Sequence, residues 1–370
     1  MRRHIYIVLL VWLSAFLASC EKSADVVLQG QPIYLSVSLP YTTTTKVPFE
    51  GTAPTTANPL NVDVWASTTP NEYVNEGWDG SSAYGHKVAI HTHGHFQSGE
   101  PQLLSQAIYP PPKTTDNGQV TADPVYFVSM YPQGWTNTDQ PTVANYTFTG
   151  WQDLMFAPQV SGAYDLEEQG QVVKDSPVLR FEHLLTRITV KVGAVMEAGE
   201  SIQDLRDAWG PIKDLKIQSY NRAGYLESLN KVTLDLSKGQ DFNYDTDVTF
   251  SGQQGESMGF YALGTDDSFP GADGYILTEH IDSVAYVMCA PVVATADAHE
   301  YVITIETQNR GSQELELDIE KTASSDEGIG TTRGNHFLVT LKFKRGRAVA
   351  TVVDIADWEN GGYGTGDIVD

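Results

Sequence analysis

Cysteine is nearly absent. The chain of 370 residues has two, Cys20 and Cys289, so at most one intrachain disulfide can form. That excludes a scaffold stapled by disulfides. Basic residues are scarce as well. Lys and Arg total 23 against 47 Asp and Glu, for a formal net charge of −24. Phosphates would be repelled and no basic stripe offsets the acidity, which excludes nucleic acid as a partner. Arginine is missing altogether between Arg3 and Arg180. Long apolar runs are missing too: Ile5 to Leu17, about 13 residues, falls short of the roughly 20 that span a bilayer. Charged residues make up only 19% and hydrophobic ones 41%, which is too apolar for a disordered chain.

What is abundant points to strands and turns. Glycine and proline together number 50, and aromatic residues 38. The length suits roughly two domains. Residues 31–40 alternate cleanly, with Ile33, Leu35, Val37 and Leu39 on one face and Tyr34, Ser36 and Ser38 on the other, as a half-buried strand requires. Tyr41 to Lys46 and the Pro- and Thr-rich stretch that follows to Pro59 read as an exposed connector. Residues 60–66, 87–92, 125–130, 146–148 and 154–157 read as further strands. Val178 to Val192 reads as one long strand, with Ile188, Val190 and Val192 inward and Arg187, Thr189 and Lys191 outward. More strands are expected at 214–219, 232–235, 259–263, 274–278, 283–288, 300–307, 314–319, 336–344 and 348–358. The spacing suits antiparallel sheets in two sandwiches. Only Ser201 to Trp209 looks helical, with Ser201 as cap and Asp204 at the third helical position.

The N-terminus carries a leader. Arg2 and Arg3 precede the apolar run, which ends in Leu17-Ala18-Ser19-Cys20, a pattern that resembles a bacterial lipobox with Cys20 acylated. Residues 1–19 are then a signal peptide. Removing them takes the net charge from −24 to −26, because Arg2 and Arg3 are lost and no acid is. Cys20 becomes a lipid anchor, and Cys289, in an apolar run, becomes a lone buried thiol.

Three motifs, in order, resemble the fimbrillin-like proteins of Bacteroidales, the type V pilins. Phe181-Glu182-His183-Leu184-Leu185 leads into an aliphatic strand. Asn335-His336-Phe337-Leu338-Val339-Thr340-Leu341 resembles the penultimate strand. Val352-Val353-Asp354-Ile355-Ala356-Asp357-Trp358 resembles the last. The resemblance implies an all-β protein with two transthyretin-like antiparallel β-sandwich domains in tandem, at residues 20–177 and 178–370. It implies a structural, non-enzymatic subunit or anchor of a surface pilus, displayed on the outer membrane and supporting adhesion. Its partners would be other pilin subunits and a host or bacterial surface ligand. In the polymerising members a protease cuts after the first strand, and a neighbour's strand fills the groove. Here residues 31–40 would be the removable strand, and Lys46 the first basic residue beyond it. Two routes stay open: a cut at Lys46, or an unprocessed anchor in which Lys46 is a solvated loop lysine.

Other constellations carry residue types suited to chemistry. His91, His93 and His95 share a face if residues 91–95 form a strand, and three imidazoles there could converge on zinc. Gly94 and Gln97-Ser98-Gly99 point instead to a strand that is ending, so no metal and no cofactor is assigned. A zinc-dependent hydrolase is the least favoured reading. Gly255-Glu256-Ser257-Met258-Gly259 matches the G-x-S-x-G nucleophile elbow, but no helix pattern follows it. Asp266, Asp267 and Asp273 read as a solvated turn. Trp78, Trp135 and Trp151 sit in loops and, if exposed, would make the chain a glycan-binding surface lipoprotein. That is the second functional reading.

Overall fold

The computed structural model describes residues 33–39, 54–56, 59–73, 89–98, 100–108, 112–114, 120–122, 124–137, 142–162, 165–167, 170–172, 176–220, 225–292, 301–317 and 333–356. Cys20, Lys46, Trp78 and Trp358 lie outside them. The fold is all-β. Among the described residues no helix is long and apolar enough to cross a membrane.

A five-stranded antiparallel sheet runs in the order Glu182–His183, Met155–Gly162, Val125–Tyr131, Leu60–Ser67, Ala89–Phe96. One face is aliphatic and aromatic, with Val62, Val64, Val125, Phe127 and Ala157 all buried. Against it pack Ile33, Leu35, Val37 and Leu39 of the first strand. Over residues 33–39 the alternation is therefore a burial pattern.

A larger sheet holds most of the second half. Its path is Gly311–Leu317, Tyr301–Thr307, Ile212–Tyr220, Met258–Ala262, Asp282–Cys289, Thr186–Ala194, His336–Phe343, Ala348–Ala356. Its two edge strands, Gly311–Leu317 and Ala348–Ala356, come into contact, so the sheet folds back on its own core. Thr186–Ala194 runs antiparallel to Asp282–Cys289 and parallel to His336–Phe343. A smaller sheet pairs Val143–Thr147 with Lys231–Asp235 over five registered residue pairs. The second buried cluster accordingly mixes Trp65, Trp135, Phe148 and Phe156 with Ile188, Leu215, Tyr286 and Val339.

Three expectations change. The segment 178–192 is three strands: Val178–Arg180, Glu182–His183 and Thr186–Ala194. Each pairs in a different sheet, because the chain here passes from one buried cluster to the other. Leu179 and Phe181 belong to the first cluster, Leu184 and Ile188 to the second. Arg187 and Thr189 do not face solvent. Both are buried: the Arg187 guanidinium lies 5.3 Å from the Tyr286 ring centroid, and Thr189 Oγ1 lies 2.8 Å from His336 Nε2. The strand Thr186–Ala194 is covered on both faces, which a simple alternation rule misses. Residues 274–278 form no strand; Tyr275 makes an isolated bridge to Ile212.

The helix forms as read, over Ile202–Trp209. Ser201 and Asp204 make a reciprocal capping box, and Leu205 and Trp209 are its buried residues.

Candidate functional site

The first strand is held along both edges. On one side Ile33 N–H donates to Ile108 O at 2.8 Å, Leu35 N–H to Gln102 O at 2.9 Å, and Gln102 N–H returns to Leu35 O at 2.8 Å. On the other, Ser36–Ser38 runs parallel to Val178–Arg180, with Ser36 N–H donating to Pro177 O at 3.0 Å and Phe181 N–H to Ser38 O at 2.9 Å. A strand set between two partners, with four aliphatic side chains in the core, fills a groove. Without it the groove would expose apolar surface and unpaired backbone groups on both walls.

The Phe-x-His element sits at the far end of that groove. Phe181 is buried in the first cluster. His183 is buried, and its Nδ1 lies 2.8 Å from Asp153 Oδ2. Arg333 bridges outward, its Nη1 3.1 Å from Glu182 Oε2 and its guanidinium 4.3 Å over the Tyr244 ring. An open cleft of about 430 Å³ lies here, lined by Leu39, Arg180, Glu182, His183 and Arg333 among others.

The histidine run lies on a strand that continues past Gly94 to Phe96. Gly94 faces the core, and a Cβ on it would stand 2.5 Å from the Phe96 ring. The glycine is there to make room for that ring, not to end the strand. Cross-strand register sets His91 opposite Trp65, His93 opposite Asp63 and His95 opposite Asn61. The three imidazoles do not converge. His91 Nε2 and His93 Nδ1 lie 3.0 and 2.9 Å from the same atom, Asp63 Oδ1, while His95 bonds Asn61 and Gln97.

Asp63 is fully buried. Its Oδ2 accepts from Gly134 N–H at 2.7 Å and Trp135 N–H at 2.8 Å. Gly134 has φ +113°, a conformation that favours glycine and lets both amides point at one oxygen. Burial alone would raise the carboxyl pKa, but the bonds from His91, Trp135 and Gly134 outweigh it and hold the carboxyl below its ordinary range. Sequence reading missed Asp63. The alternation of residues 60–66 places it on the face of Asn61 and Trp65, but the pairing register that brings it to the histidines is not local. Among the described residues this is the one group of three His, Cys, Asp or Glu side chains with ligand atoms close enough to hold a metal ion.

Several candidates fall away. Trp135 is buried against Tyr146, with ring centroids 5.2 Å apart, and Trp151 packs half-buried on the second cluster. Neither is an exposed platform for a sugar. Gly255 sits in a turn with φ +80°, and the strand Met258–Ala262 follows it, so Ser257 lies in no strand-to-helix elbow. Asp266, Asp267 and Asp273 lie in exposed turns and bends. Cys289 is free and buried.

No protein-family model and no curated protein sequence matches the chain. Solved structures do. A candidate cell adhesion protein of Bacteroides uniformis is 17% identical, with a TM-score of 0.43, over 88% of this chain and 98% of its own. A fimbrial protein of Bacteroides vulgatus is 12% identical, with a TM-score of 0.38, over 88% and 99%. The fimbrial anchor protein Mfa2 of Porphyromonas gingivalis is 10% identical, with a TM-score of 0.33, over 88% and 98%. These likenesses are to adhesion and fimbrial proteins; at such scores they assign this chain neither activity nor partner.

Proposed function

We propose that this chain is a structural subunit or anchor of a cell-surface fimbrium. It is exported as a lipoprotein through Cys20, held at the outer membrane, and joined to other subunits by strand exchange at the groove of its first strand. It supports adhesion and carries no catalytic residues. The two units divide near residue 178.

One observation carries this reading. Ile33, Leu35, Val37 and Leu39 fill the core of the five-stranded sheet from a strand bonded on both edges, and a connector containing Lys46 follows in the sequence. Burying four such side chains stabilises by roughly 6–12 kcal/mol at 1.5–3 kcal/mol each. That is of the order of a whole domain's stability. A chain cut at Lys46 that lost this strand would therefore bind a replacement strand strongly.

Mass spectrometry of the protein from its own cells tests the proposal. A mature N-terminus after Lys46, with the protein in sheared surface filaments, is expected of a polymerising subunit. An acylated Cys20 with the protein at filament bases is expected of an anchor. Absence from the filament fraction in both forms would overturn the fimbrial reading.

A further inference from the structure

We propose that Asp63, His91 and His93 form a binding site for one divalent transition-metal ion of the zinc class. The site ties the edge strand Ala89–Phe96 to its neighbour and to the loop of Gly134 and Trp135. It uses no other histidine.

One ligand atom from each of Asp63, His91 and His93 lies within 4.8 Å of the other two. Both imidazole nitrogens already aim at the same carboxylate oxygen. A zinc ion with bonds of about 2.0–2.1 Å sets neighbouring ligand atoms roughly 3.3–3.4 Å apart. The contacts of 2.9 and 3.0 Å therefore open by only a few tenths of an ångström to admit it. His93, with its side chain about half exposed, has the freedom to turn. Two imidazoles and one carboxylate suit zinc and its neighbours, whereas calcium and magnesium take oxygen ligands.

The supporting contacts are those a metal site needs. The two amides on Oδ2 hold the carboxylate still and leave Oδ1 for the metal. His91 lies flat on Trp65, with ring centroids 4.1 Å apart and planes 7° from parallel, which fixes its ring. Among the described residues no Lys or Arg forms an ion pair with Asp63; the side chains on its Oδ1 are His91 and His93. A buried carboxylate without a fixed cation is the natural seat for one. Solvent reaches the site past His93 and can complete the coordination. To ligate the metal, His91 Nε2 and His93 Nδ1 must carry no proton, which leaves each neutral ring's proton on its other nitrogen, His91 Nδ1 and His93 Nε2.

The test is titration of the chelator-treated full chain with zinc chloride by calorimetry, with cobalt(II) absorption as a second readout. One ion per chain is expected, with visible bands typical of cobalt in a four-coordinate site. His91→Ala and His93→Ala should each weaken binding by about tenfold or more, and His95→Ala should leave it within about twofold. Zinc should raise the melting temperature of the parent chain but not of His93→Ala. Circular dichroism checks that this half-exposed position leaves the fold intact. No binding at millimolar zinc overturns the proposal. So does binding that survives both His91→Ala and His93→Ala, or that falls equally in His95→Ala.

Discussion

His183 and Asp153 face each other at 2.8 Å between Nδ1 and Oδ2, and both are shut off from solvent. The pair sits where the chain leaves the five-stranded sheet for the larger one, beside the end of the first strand. Asp153→Ala would leave the imidazole buried without its acid. A loss of about 1–3 kcal/mol in urea unfolding is expected, as for a buried polar group that loses its partner. The double replacement Asp153→Ala with His183→Leu should cost less than the sum of the singles.

The first strand should be worth more to stability than its three residues of regular pairing imply. Leu35 is fully buried and Ser38 exposed. Leu35→Ala is expected to cost about 2–5 kcal/mol, and Ser38→Ala under about 0.5 kcal/mol. Chemical denaturation of the uncut chain measures both. A synthetic peptide of residues 31–40 added to a chain lacking them should restore protection from protease, and a Leu35→Asp peptide should not.

Acid should weaken the fold through His336. Burial, and then the positive charge of Arg187, pull its pKa from 6.5 down to about 3. Thr189 Oγ1 meets its Nε2, and Arg187, its register partner on the neighbouring parallel strand, carries its guanidinium over Tyr286. The unfolded chain takes up a proton near pH 6.5 that the folded chain refuses. The stability tied to the neutral imidazole is therefore complete above pH 6.5 and is lost as the pH falls from 6.5 towards 3. The slope is at most about 1.4 kcal/mol per pH unit. His336→Gln should flatten that part of the stability profile.

The Cys289 thiol should be silent in the native state. Burial, partly offset by a hydrogen bond with Tyr301, pushes its pKa up to about 12, and its Sγ lies 3.6 Å from Thr186 O. In a chain with Cys20 replaced by Ser, a thiol reagent should modify no cysteine at neutral pH until denaturant is added, and then one. Fast native labelling would contradict the packing described for the larger sheet.

Local pattern carried much of the fold. The alternation of residues 31–40 was legible because a strand buried on one face must repeat every second residue. The Ser201–Asp204 capping box was legible because its partners are three residues apart. The split of residues 178–192 was not, since no Gly or Pro interrupts the segment and the breaks show only in which distant strands each piece joins. Arg187 looked solvent-facing because alternation assigns a face and cannot tell whether that face is covered.

The candidate sites divide in the same way. The aliphatic set Ile33, Leu35, Val37 and Leu39 is a property of ten consecutive residues. The union of Asp63 with His91 and His93 is a property of register, and it left His95 aside although all three histidines share a face. By itself the sequence determined the acidity, the strand-and-turn character and the apolar face of the first strand. These follow from composition and short-range periodicity. Tertiary structure alone decided which buried carboxylate meets which imidazole, and which backbone walls hold the first strand. Those contacts join residues that sequence separates by 28 or more positions, and only the pairing of distant strands brings them within a hydrogen bond's reach.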